Sequence, residues 1–189
     1  MFGIALNGMV RRKVKDRDVL RALDSEYRDT VGRSDDIGMK NNLLSSYVLA
    51  AYFIAMCRTT GLTPEQNRDI LAEGIRNSRM VKVMLGSPKS YFSDKRMEGR
   101  REWSRQSQTK TFRNDWMVDF IEGDGIHVFG LDYRECGVCK LCADEGCPEL
   151  AKYLCSLDHL LVDVMGIGLD RTTTLAEGGD RCDFRFRKL

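Results

Sequence analysis

The chain has 189 residues, enough to enclose a hydrophobic core within one domain. Apolar residues make up 42% and charged residues 31%, a balance that excludes a disordered chain. A formal net charge of +2 gives no bulk argument for nucleic acid, and the longest apolar run, Tyr47 to Cys57, is too short to cross a bilayer.

The first half reads as helical. The basic run Arg11, Arg12, Lys13 and Lys15 is followed at once by Asp16 and Asp18, which suits a solvated helix face rather than a polyanion site. Val14, Leu20, Leu23 and Tyr27 recur at helical spacing, and Gly32 ends that segment. A second helix is predicted from Lys40 to Thr59, apolar on most faces and therefore central, closed by Gly61. The third opens on a capping box, with Thr63 as N-cap, Pro64 in first position and Gln66 three residues on, and fades near Leu85. Gly86-Ser87-Pro88 breaks the chain, and a polar, exposed helix is expected from Asp94 to Gln108.

The pattern then changes. Trp116–Ile121 and Ile126–Tyr133 are short runs of aromatic and β-branched residues around the turn Glu122-Gly123-Asp124-Gly125, which predicts a β-hairpin. A helix should start at Cys147, with Pro148 first, and run to Met165, where Gly166 and Gly168 stop it. Leu169–Ala176 is strand-like. Cys182–Arg187 alternates, placing Cys182, Phe184 and Phe186 on one face and Asp183, Arg185 and Arg187 on the other. The expected fold is α+β: a helical part over 1–110, then β-β-α-β-β with a four-stranded antiparallel sheet over 111–189, together forming one compact unit.

Six of the seven cysteines fall between Cys136 and Cys182. The chain opens on no secretory signal, and an odd cysteine number suits a reducing compartment, so the expected location is cytoplasmic. Cys136, Cys139, Cys142 and Cys147 make two successive C-x₂-C steps and a Cys-Pro, a spacing open to zinc, to an iron–sulfur cluster or to unligated thiols. Cys155, Asp158 and His159 lie at i, i+3 and i+4 on one helix, which sets a thiol beside a carboxylate and an imidazole. The same spacing suits a buried thiol flanking the leucine stripe, with His159 exposed. The other histidine, His127 in the hairpin, reads as structural. Arg171 among Thr172, Thr173 and Thr174 is a candidate seat for a carboxylate.

From Tyr133 to Phe186 the chain resembles the L-2-amino-thiazoline-4-carboxylic acid hydrolase family. The matching pieces are Cys136, Gly146-Cys147-Pro148-Glu149-Leu150, Leu154-Cys155-Ser156-Leu157-Asp158, Arg171 through Asp180, and Cys182-Asp183-Phe184-Arg185-Phe186. The resemblance implies a hydrolase that opens a small cyclic amidine, such as 2-amino-thiazoline-4-carboxylate, to an N-carbamoyl cysteine. On that chemistry Cys155 is the first candidate nucleophile and Cys182 the second, with Asp158 as general base. His159 or Cys136 would protonate the departing sulfur. Arg171 and Thr173 would hold the substrate, and Gly178 and Gly179 would offer N–H groups to developing charge. This reading requires no cofactor, although zinc or iron–sulfur stays open through the cysteine run. The expected partner is a small molecule, not nucleic acid or membrane; a homo-oligomer is left open. The alternative is a binding protein that senses a small molecule, a metal or redox state without turnover.

Overall fold

The computed structural model describes residues 8, 10–33, 43–109 and 112–189. Helix α1 (Arg17–Arg33) starts where the Asp16 carboxylate accepts the N–H groups of Asp18 and Val19. Arg11–Lys13 are exposed, as expected of a solvated face. Helix α2 (Leu44–Thr59) is the centre of the helical part: Tyr47 and every residue from Leu49 to Met56 are buried. Its predicted first turn, from Lys40, lies outside the described residues.

Helix α3 (Pro64–Asn77) carries the predicted capping box, with Thr63 and Gln66 exchanging hydrogen bonds of 3.3 and 2.9 Å. The single helix expected to run to Leu85 is divided. Ser78 leaves helical geometry (φ −85°, ψ 111°) and caps a new helix, α4 (Arg79–Leu85), by accepting from the Val81 N–H. Ser78 is a preferred N-cap type, so the division is written in the sequence. A short α5 (Pro88–Tyr91) leads into α6 (Asp94–Ser107).

Helix α6 is more than a solvated helix. Its Ser104 hydroxyl accepts from Phe120 N–H at 3.0 Å and donates to Val118 C=O at 2.9 Å, and Ser107 accepts from Val118 N–H. These side chains satisfy the outer backbone edge of strand β1 (Met117–Glu122), which would otherwise offer unpaired groups. Strand β1 pairs with β2 (Phe129–Glu135), and the sheet is completed by β3 (Ile167–Asp170) and β4 (Cys182–Lys188) in the order β1-β2-β4-β3, every pair antiparallel. The fold is thus α+β, as expected. In the hairpin loop His127 bridges Asp124 and Asp170, 2.9 Å on each side, and ties that loop to β3.

Between β2 and β3 the chain forms α7 (Gly137–Asp144), a 3₁₀ turn (Pro148–Leu150), α8 (Ala151–Cys155) and α9 (Leu157–Met165). The sequence reading has no counterpart to α7. It also extends the third strand through Ala176, but 171–174 is irregular. There the Asp183 carboxylate takes the N–H groups of Thr172 and Thr173 and the Thr172 hydroxyl, so local side-chain bonds displace the ladder.

Two apolar clusters result. One joins α1, α2 and α3 to α7 and α8 through Tyr52, Phe53, Leu71, Leu141 and Leu154. The other covers the inner face of the sheet, where Phe129 and Phe186 stack at 4.8 Å beside Val118, Leu131 and Leu169. Among the described residues no helix is long and apolar enough to cross a membrane.

Candidate active site

Where the two clusters meet, a cavity of about 130 Å³ opens. Leu43, Ser46 and Leu49 wall it from the α2 side, Tyr133 from β2, Cys182 and Phe184 from β4, and Leu154, Cys155, Leu157, Asp158 and Leu161 from α8 and α9. Trp116, Cys136 and Val138 complete it. Cys155, Asp158 and Cys182, distant in sequence, therefore face one hollow, together with Cys136.

Helix geometry explains the selection. With about 100° of turn per residue, Leu154, Leu157, Asp158 and Leu161 form one stripe, and Cys155 sits on its edge. His159 falls on the far side of Cys155 from that stripe. It is exposed and does not line the cavity, so its expected role as proton donor has no geometric basis.

Asp158 is anchored by Arg171, whose Nη1 donates to Oδ2 at 2.7 Å and to the Cys155 carbonyl at 3.1 Å. The Arg171 guanidinium also lies 5.3 Å from the Phe184 ring centre. Its side chain is 9% exposed and is absent from the cavity wall, so it serves Asp158 rather than standing ready for a substrate carboxylate. Burial pushes the Asp158 carboxyl up to about 6, with Arg171 pulling against it. The expected anion seats nearby are also occupied. Thr173 N–H bonds Asp183, Gly178 N–H bonds Leu175 C=O and Gly179 N–H bonds Thr174 C=O. None of Thr173, Gly178 and Gly179 lines the cavity.

The thiols differ. Burial raises Cys155, and its neighbours Asp158, Cys136 and Cys182 raise it further. Burial pushes Cys182 up to about 11, opposed by the Leu175 N–H, 3.2 Å from its sulfur. Cys136 goes the other way. It stands at the N-terminus of α7 and closes no well-aligned cap bond with its side chain. The Cys139 thiol, then the N–H groups of Cys139 and Val138, nevertheless favour its sulfur as an anion and hold its pKa below the ordinary thiol value despite burial. The next residue is glycine because nothing else fits: a Cβ on Gly137 would lie 2.4 Å from Asn114 C=O and 2.9 Å from the Trp116 ring.

The four-cysteine metal site does not assemble. A helix turns Cys136 and Cys142 about 120° apart, so the run splits into Cys136 with Cys139 and Cys142 with Cys147. Among the described residues no three His, Cys, Asp or Glu side chains gather where they could hold a metal ion, and all seven cysteines are free thiols.

The model of a protein family, L-2-amino-thiazoline-4-carboxylic acid hydrolase, matches residues 41–186. The chain belongs to this family. The match begins just before α2 and ends within β4, so it takes in both walls of the cavity as well as the cysteine-rich part. A search of the curated proteins found no match. The site of this family member departs from the sequence expectation in one central respect: Cys136, first read as a proton donor or metal ligand, is the cavity thiol with the lowered pKa. The signal for it is the apolar spacing of Val138, Leu141 and Cys142 after Cys136-Gly137, which marks the start of a helix.

Proposed function

We propose that the protein is a ring-opening hydrolase acting on a small cyclic amidine of the 2-amino-thiazoline type, giving a ureido thiol. For 2-amino-thiazoline-4-carboxylate the product is N-carbamoyl cysteine. The observation that carries this reading is that the Cys136 thiol, at the start of α7, and the half-buried Asp158 carboxylate, held by Arg171, face one small cavity. Membership of a family with a hydrolase name supports it.

The Cys136 thiolate adds to the carbon between nitrogen and sulfur of the protonated ring. The ring carbon–sulfur bond then breaks and leaves an S-linked isothiouronium on Cys136. Cys155 and Cys182, kept as thiols by their surroundings, donate S–H hydrogen bonds to the departing sulfur. Asp158 next takes a proton from water, and the water oxygen adds to the same carbon. Cys136 leaves as thiolate, and the hydroxyl proton of the resulting protonated urea passes to the departed ring sulfur to give the free thiol. The urea carbonyl forms, and Asp158 returns its proton to solvent. The net reaction consumes one water and releases one proton from the cationic substrate. The apolar walls limit competing water, and the Arg171 contact fixes the Asp158 rotamer.

The test is thiol release from 2-amino-thiazolines, read on small molecules after ultrafiltration so that protein thiols do not count. Turnover that Cys136→Ser abolishes supports the reading. Binding without release of thiol would favour a sensor instead.

A further inference from the structure

Resting on the ring-opening reading, we infer that the cavity is built for a cationic ring amidine without a carboxylate, so that plain 2-amino-thiazoline is preferred to its 4-carboxylate. Among the described residues the wall contains one carboxylate, Asp158, and no lysine, arginine or histidine. A carboxylate entering that space would meet Asp158 with no cation among the described wall residues to pair with, and an unpaired charge taken out of water is strongly disfavoured.

Among the described residues, the groups that the sequence marks as seats for an anion are already engaged. Arg171 is held by Asp158 and the Cys155 carbonyl, and the N–H groups of Thr172 and Thr173 are held by Asp183. Gly178 and Gly179 N–H groups close the turn after Leu175. The N-terminus of α7 is directed at the Cys136 sulfur rather than at the open space. A cation fares differently. An amidinium presents two parallel N–H donors that match a carboxylate, and Trp116, Tyr133 and Phe184 supply aromatic surface suited to a cation.

Size points the same way. A cavity of about 150 Å³ in a protein core is known to hold benzene. The cavity here is about 130 Å³. A five-membered ring with one exocyclic amine has as many non-hydrogen atoms as benzene, and a carboxylate on that ring would add three more.

The experiment compares 2-amino-thiazoline with its 4-carboxylate on the intact wild-type protein at neutral pH, by kcat/KM for thiol release and by calorimetric binding. The expected result is a preference of at least about tenfold for the carboxylate-free ring in both measurements. Equal or better use of the carboxylate overturns the inference and leaves the ring-opening reading standing. Selective binding of the carboxylate-free ring with no thiol released removes the hydrolase reading and leaves the charge preference intact. If neither ring binds, both fall.

Discussion

The two ends of helix α7 begin from the same sequence feature, a cysteine pair, and reach opposite outcomes. At the N-terminal end Cys136 faces a cavity, and the Cys139 thiol and backbone N–H groups favour its anion. At the C-terminal end the helix stops in a Schellman turn: Gly146 is left-handed (φ 70°), Gly146 N–H bonds Ala143 C=O, and Cys147 N–H bonds Cys142 C=O. That turn brings together the side chains two residues before and three residues past Asp144, the last helical residue, which is why Cys142 meets Cys147. Glu145 locks this end to the neighbouring helices through Arg58 at 2.7 Å and Arg33 at 2.8 Å. A lowered thiol pKa is common to Cys136 and Cys147, the latter through Cys142 and then Arg58. Acidity alone therefore does not make a site. A cavity and a second group able to move a proton are what separate the two ends.

The largest effect expected from breaking this contrast is on turnover. Cys136→Ser should lower kcat by at least about a thousandfold, whereas Cys147→Ser should change it by no more than about twofold. Steady-state thiol release checks both, and equal losses would erase the distinction between the ends. Next, Asp158→Asn should lower kcat by about a hundredfold. In the wild type, kcat should rise as pH passes about 6, where the Asp158 carboxylate forms. Stability should move in the opposite direction. The folded carboxyl holds its proton to higher pH than the unfolded one, with its ordinary value of 3.8, so its contribution is full below about 4 and is lost as pH rises through about 6. Chemical denaturation of the wild type and Asp158→Asn across that window measures the difference.

The C-terminal end should respond in stability alone. The Glu145 side chain is 8% exposed and pairs with partly exposed arginines, so Glu145→Ala should cost about 1–3 kcal/mol, a fall of several degrees in Tm, with kcat unchanged. Gly146→Ala should cost about 1 kcal/mol, because its backbone is left-handed while the space around it is open. A drop in kcat from either change would tie the two ends together.

The sequence made the fold class legible because its largest signals are local. The capping box at Thr63 and the alternation from Cys182 to Arg187 each depend on neighbours along the chain. Helix α7 was hidden because the metal-like spacing of four cysteines overlies the helical spacing of Val138, Leu141 and Cys142. The irregular path at 171–174 depends on Asp183, which reaches it only after the chain has turned back. Cys155 and Asp158 were recognisable as neighbours on one helix. Arg171 as the partner of Asp158 was not, since nothing in one dimension distinguishes a guanidinium awaiting a substrate from one already paired. His159 shows the limit of spacing arguments: i+3 and i+4 flank a helical residue on opposite sides, and only the i+3 side faces the cavity.

The most direct test traps the covalent intermediate. Turnover of 2-amino-thiazoline is quenched in acid and the protein is mapped by peptide mass spectrometry. The expected result is an adduct of substrate mass on the peptide bearing Cys136 and none on Cys142 or Cys147. Full turnover with the adduct on Cys155, or on Cys147 at the closed end of α7, would contradict it.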